Sequence, residues 1–223
     1  MTVQTKKKFQ FMRYNFLVIE GNIGSGKTNL AKKIAEDFNG KLILEAFEDN
    51  PFLPKFYKES ERNALPLELF FMAERFQQLN DKKNTSDLFS KLIVADYSFF
   101  KSKLFAQNNL KEDELNLFNR LYDIMFYNVK KPELLIYIHS DVARLQKNIK
   151  KRGRKFELEI KDEYLKSIEN KYLDYLKKQR DFPVLIIDVS SIDFVNNKSS
   201  YKKILDEINF ISNEEQIRSV TLD

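Results

Sequence analysis

Phe16-Leu17-Val18-Ile19-Glu20 runs directly into Gly21-Asn22-Ile23-Gly24-Ser25-Gly26-Lys27-Thr28. The eight residues from Gly21 fit GxxxxGK(S/T), the pattern of a phosphate loop, and the apolar run before them reads as a buried strand. Beyond the loop, Leu30, Ile34, Ala35 and Phe38 share one helical face, so a helix is expected from Lys27 to Phe38. Glycines let main-chain N–H groups crowd around phosphate oxygens, and the helix N-terminus adds partial positive charge. Lys27 has the reach for the β- and γ-phosphates, and the Thr28 hydroxyl suits Mg²⁺. The implied ligand is a nucleoside triphosphate; the alternative is a structural glycine turn.

Working outward, Asn39-Gly40 ends the helix and Lys41–Glu45 reads as a second strand. A strand–helix–strand unit implies a right-handed crossover and parallel pairing. Further strands are expected around Ile93, at Leu134–Ile138 and at Val184–Asp188. Helices are expected over Leu67–Asn80, Tyr97–Ala106, Asp113–Tyr127, Asp141–Lys151, Asp162–Lys178 and Tyr201–Ile211. This alternation predicts an α/β fold: a P-loop NTPase-type open parallel sheet, helices on both faces, and a lid. The expected organisation is a disordered basic stretch over 1–14, one domain over 15–212 with its lid near 150–160, and a mobile polar tail over 213–223.

The chain has 223 residues, 43% of them hydrophobic, with 20 Phe and 10 Tyr, enough for a substantial core. It has no Cys, which excludes disulfides and thiolate metal sites and suits a cytoplasmic protein. No apolar run approaches the ~18 residues of a membrane helix. The net charge of +5 suits anionic nucleotide substrates as well as it suits nucleic acid.

Ligands of open α/β sheets sit beyond the carboxyl ends of the strands. Glu20 and Glu45 fall there, and Glu45 is the better candidate for accepting a proton from an attacking hydroxyl; the alternative is a solvated strand-end carboxylate. Lys150-Lys151-Arg152-Gly153-Arg154 reads as a basic lid, or as favourable charge at a helix end. His139 has no metal-spaced partner and reads as structural. Most of the aromatic residues read as core, with Phe100 or Tyr57 as candidates to line a base-binding cleft.

Ile19–Thr28, then Glu45, then Lys151-Arg152-Gly153-Arg154 with Glu157 and Tyr164-Leu165, together resemble the deoxynucleoside kinases, from about Phe16 to Tyr201. The resemblance implies transfer of the ATP γ-phosphoryl group, with Mg²⁺, to the 5′-hydroxyl of a deoxynucleoside. It also implies a homodimer whose partners are ATP and a deoxynucleoside, not nucleic acid or membrane. It makes Glu45 the base for the 5′-hydroxyl and puts Tyr57 and Glu157 at the 3′-hydroxyl. Arg75 and Asp96 line the base pocket, and Phe100 stacks on the base. Arg152 and Arg154 close over the transferred group, and Asp193-Phe194 packs on the donor adenine.

Three departures stand out. The family's Glu-Arg-Ser at the end of the third strand falls on Ser90-Lys91-Leu92, so that Lys91 supplies a point charge in place of an arginine fork. A lid arginine falls on Asn148, and the base-reading glutamine falls on Glu68. An ionised carboxylate only accepts hydrogen bonds, which matches the N1–H and 2-amino donors of guanine and predicts deoxyguanosine as acceptor; the alternative is that Glu68 faces elsewhere. Competing functions are a nucleoside monophosphate kinase and a nucleotide-binding regulatory module with little catalysis.

Overall fold

Strand β1 (Phe16–Gly21) is buried along its whole length, which is why its sequence is continuously apolar rather than alternating. The computed structural model describes residues 12–46, 50–81, 92–127, 129–211 and 215–223. Among them, β1, β2 (Lys41–Ile43), β3 (Ile93–Ala95), β4 (Leu134–His139), β5 (Val184–Asp188) and β6 (Ile217–Thr221) form one sheet in the order β2-β3-β1-β4-β5-β6. Every pairing is parallel. The order corrects one expectation: β2 does not lie beside β1, because β3 is inserted between them.

Alternate residues of β1 point to opposite faces. Leu17 and Ile19 pack with Leu30 and Ile34 of α1 (Lys27–Asp37) and with Ile204 and Ile208 of α8 (Lys198–Phe210). Phe16 and Val18 face Met72 and Leu79 of α3 (Ser60–Asn80), Leu104 of α4 (Phe100–Asn109), and Ile168 and Tyr172 of α7 (Asp162–Lys178). The short helix α2 (Leu53–Lys58) adds Leu53 and Phe56 to a smaller cluster with Leu67 and Phe71. The remaining helices are α5 (Glu112–Phe126) and α6 (Val142–Arg152). No helix among the described residues is long and apolar enough to cross a membrane.

Two rim residues are structural. Glu20 is fully buried and accepts hydrogen bonds from the Ser98 N–H and hydroxyl, both at 2.7 Å, and from the Tyr172 hydroxyl at 2.9 Å. His139 bridges Glu169 and Asp188, each at 3.0 Å, and so ties β4 to α7 and β5.

At both ends the described residues depart from the expected organisation. Residues 1–11 lie outside the described residues, but Arg13 and the buried Tyr14 both donate to the Ile211 carbonyl. The polar tail carries β6, whose pairing with β5 is flanked by a hydrogen bond from the Leu222 N–H to the Asp188 carbonyl at 3.0 Å. Edge position explains why the tail looked mobile: Arg218, Ser219 and Thr221 interrupt its apolar pattern, while Arg218 docks on Glu207 and on the Phe210 ring. A chain ending at residue 214 loses this strand and the buried Leu222. The expected loss is about 3 kcal/mol, seen as a thermal midpoint lower by roughly 6–12 °C. An unchanged midpoint contradicts the docked strand.

Candidate active site

The phosphate loop leaves β1 at Gly21 and enters α1 at Lys27. Gly24 (φ 82°) and Gly26 (φ 90°) adopt left-handed conformations. A Cβ on Gly24 would lie 2.8 Å from the Leu145 carbonyl oxygen, and one on Gly26 would lie 2.9 Å from the Phe194 ring. The loop is therefore seated between α6 and the segment after β5. Asn22 braces it by donating to the Leu165 carbonyl (2.7 Å) and accepting from the Ile23 N–H (2.8 Å). Asn148, at the position of the absent lid arginine, donates to the Gly24 carbonyl at 2.8 Å and so supports the loop itself. Ser25 is buried, and its hydroxyl has no partner among the described residues. Burial, followed by the like charge of Lys101, lowers the Lys27 pKa to about 8, against the pull of Glu45, Glu20 and Asp96.

Glu45 lies two residues past β2. Its Oε1 accepts from Arg75 Nε (2.9 Å) and Nη2 (2.6 Å), and its Oε2 accepts from Lys101 Nζ (2.5 Å). Burial pushes its pKa up, but Lys101, Arg75 and Lys27 together pull harder, so the carboxyl stays far below the usual carboxylate range.

Asp96 directly follows β3. Its carboxylate accepts from the Thr28 hydroxyl at 2.5 Å and from the Glu45 N–H at 2.8 Å. These bonds put it at the phosphate loop rather than beside Arg75 on a base-pocket wall. They also correct the third-strand reading. Ser90 and Lys91 lie outside the described residues, and Leu92 precedes the strand as a buried core residue. The residues at the carboxyl end of β3 are Asp96-Tyr97-Ser98. The acidic position is thus kept as Asp96, and tyrosine stands where the family pattern has arginine. Tyr97 is fully buried and donates to Gln78 Oε1 at 2.8 Å.

Two helices wall one side of a cleft of about 1120 Å³. From α3 come Glu68, Phe71 and Arg75, and from α4 come Lys101, Phe105 and Asn109. Phe100 is not among them; it stacks on Tyr175 in the core, with ring centroids 4.3 Å apart. One position along a helix turns a side chain by about 100°, which separates the buried Phe100 from the cleft-lining Lys101. Lys101, Phe105 and Asn109 were missed from the sequence, although their i, i+4, i+8 spacing marks a single face. Glu68 is buried; its Oε1 accepts from Asn109 Nδ2 at 2.7 Å, and its Oε2 has no partner among the described residues. Burial raises its pKa to about 7, against Arg75 and the Asn109 hydrogen bond.

The lid segment closes the other side. α6 ends at Arg152, and Gly153 caps it in the left-handed region. Arg152 and Arg154 (3.2 Å) both pair with the buried Glu157. Tyr57 of α2 stacks on Phe156 at 6.1 Å, so Tyr57, Glu157 and both arginines meet at one rim. At the opposite rim, Asp193 accepts from the Val195 and Asn196 N–H groups, which shapes the turn that sets Phe194 against Gly26. Lys33 and Arg144 hold this segment through its carbonyls.

The family model for deoxynucleoside kinase matches residues 17–212. The chain is 37% identical over 196 residues to a deoxyguanosine kinase of Bacillus subtilis, covering 85% of this chain and 93% of that protein. It is 32% identical over 218 residues to a deoxyadenosine kinase of Lactobacillus acidophilus, covering 92% and 97%. Among solved structures it resembles a deoxyadenosine kinase from M. mycoides with dCMP and a flexible dCDP bound, at TM-score 0.74 and 25% identity over 87% of this chain and 99% of that one. These matches do not favour the monophosphate kinase or the regulatory module. With its phosphate loop, strand-end carboxylate and arginine lid in one cleft, the chain belongs to the deoxynucleoside kinase family.

Proposed function

We propose that the protein transfers the ATP γ-phosphoryl group to the 5′-hydroxyl of a purine deoxynucleoside, with deoxyguanosine as the preferred acceptor. The observation that carries this reading is the Asp96 carboxylate, which joins the Thr28 hydroxyl to the Glu45 main chain and so links the donor and acceptor halves of one cleft. Glu45 orients the 5′-hydroxyl and takes its proton. Because three cations hold Glu45 ionised, it is a weak base, and the proton moves late, as the new P–O bond makes the hydroxyl acidic. Most of the rate then comes from positioning and from cations around the transferred group. Lys27, Arg152 and Arg154 supply that charge. When the arginines turn to phosphate they leave Glu157, whose carboxylate becomes available to the sugar 3′-hydroxyl beside Tyr57.

The Thr28 hydroxyl and Asp96 carboxylate form an all-oxygen pair at the mouth of α1, a donor set that suits Mg²⁺, which takes one or two protein oxygens and completes its shell with phosphates and water. Thr28 and Asp96 would hold the metal, which would neutralise phosphate charge. Phe194, set against Gly26, supports a donor adenine site there. Glu68 Oε2, which has no partner among the described residues, supports guanine, whose N1–H and 2-amino group need an acceptor-only partner. The exposed Leu117, Leu121 and Ile124 of α5, with the exposed Tyr127 just beyond its end, form an apolar stripe that supports a homodimer.

Three outcomes follow. Replacing Glu45 by Gln is expected to cut kcat roughly 100- to 1,000-fold while ADP affinity, measured calorimetrically, stays within about threefold of wild type; unchanged turnover removes Glu45 from the chemistry. Deoxyguanosine needs ionised Glu68, whose pKa is about 7 in the unliganded protein. Its KM should therefore fall about tenfold from pH 6 to pH 8. Glu68→Gln should abolish that slope and reduce deoxyguanosine kcat/KM roughly 10- to 100-fold relative to deoxyadenosine; equal slopes in both proteins contradict guanine readout. Finally, sedimentation should give a dimer mass for the wild type and a monomer mass for Ile124→Glu. A wild-type monomer contradicts the dimer.

A further inference from the structure

The geometry points to Lys101 as a positioning residue for the transfer step: it fixes the Glu45 oxygen that receives the 5′-hydroxyl, from the side opposite Arg75. This inference rests on the function proposed above.

The argument is one of acceptor capacity. A carboxylate has about four lone-pair sites, two on each oxygen. Arg75 fills both sites of Oε1, through Nε and Nη2. Its remaining amine, Nη1, is committed to Ser102 Oγ at 2.8 Å. Lys101 fills one site of Oε2. The one site left is on Oε2, so an entering hydroxyl donates there, next to the Lys101 ammonium. Without Lys101, Oε2 has no other donor among the described residues, and only Arg75 resists rotation of the carboxylate.

Lys101 is built into this place. It is only 6% exposed, and its ammonium lies 5.6 Å from the centroid of the Phe105 ring, on the same face of α4. A buried ammonium is retained when it is paired, and its partner here is Glu45. Tyr97 cannot serve instead, because it carries no charge and its hydroxyl is spent on Gln78. The cation that the Glu-Arg-Ser pattern would place at the end of β3 is thus delivered from the first turns of the next helix.

The test uses wild-type protein, Lys101→Met and Lys101→Arg, assayed with ATP and with deoxyguanosine and deoxyadenosine separately, alongside ADP binding. Lys101→Met is expected to lose about 100-fold in kcat, equally for both acceptors, with acceptor KM and ADP affinity within about threefold of wild type. Lys101→Arg should recover at least a tenth of wild-type kcat, since it restores the cation with different geometry. A Lys101→Met kcat within threefold of wild type overturns the proposal. So does a loss confined to KM or to one purine, or the absence of rescue by arginine. If Lys101→Met no longer binds ADP, Lys101→Gln is read by the same criteria, and loss of ADP binding in both assigns Lys101 a purely structural role. Wild-type protein that phosphorylates neither nucleoside overturns the proposed function and, with it, this role.

Discussion

The carboxylate of Asp96 is the joint of the molecule. One oxygen takes the Thr28 hydroxyl and the other takes the Glu45 N–H, so a single side chain ties the phosphate loop to the main chain of Glu45. The sheet order makes this possible. With β3 between β2 and β1, the residue after β3 stands midway between the loop that follows β1 and the carboxylate that follows β2. A crossover that put β2 beside β1 would leave no strand end for that role.

Around this joint, charge is concentrated where water is scarce. Lys27, Arg75 and Lys101 face Glu45 and Asp96 within one cleft, and Arg152 and Arg154 face Glu157 at its rim. Buried ions are stable only when paired. Protein partners already satisfy these charged groups in the unliganded cleft. Glu68 is the exception: its Oε2 has no such partner among the described residues, and burial keeps its carboxyl partly protonated near neutral pH. The site thus holds one permanently ionised carboxylate, Glu45, and another, Glu68, that titrates near neutral pH.

Much of this was legible in the chain. The apolar run into Gly21–Thr28 carries a period and a spacing that only a strand, a loop and a helix satisfy, and Glu45 and Arg152–Arg154 stand at recognisable distances beyond it. The region after β2 was harder, because β3 is three residues long and gives little periodic signal, so a six-residue error in placing its end moved the motif from Asp96-Tyr97-Ser98 to Ser90-Lys91-Leu92. The same uncertainty exchanged Phe100 for Phe105, since helix phase decides which ring faces the cleft. β6 was missed because an edge strand tolerates polar residues that hide its pattern. Lys101 was invisible as a site residue because nothing local distinguishes a lysine that pairs with a carboxylate 56 positions away from one that points to solvent.

The most direct measurement is a crystal structure of the protein with a non-hydrolysable ATP analogue and deoxyguanosine. The β-phosphate should lie against the main-chain N–H groups between Gly24 and Thr28, with the sugar 5′-hydroxyl within hydrogen-bond distance of Glu45 and Asp96 still between them. A 5′-hydroxyl turned away from Glu45, or a triphosphate seated outside that loop, would contradict the shared cleft on which everything else depends.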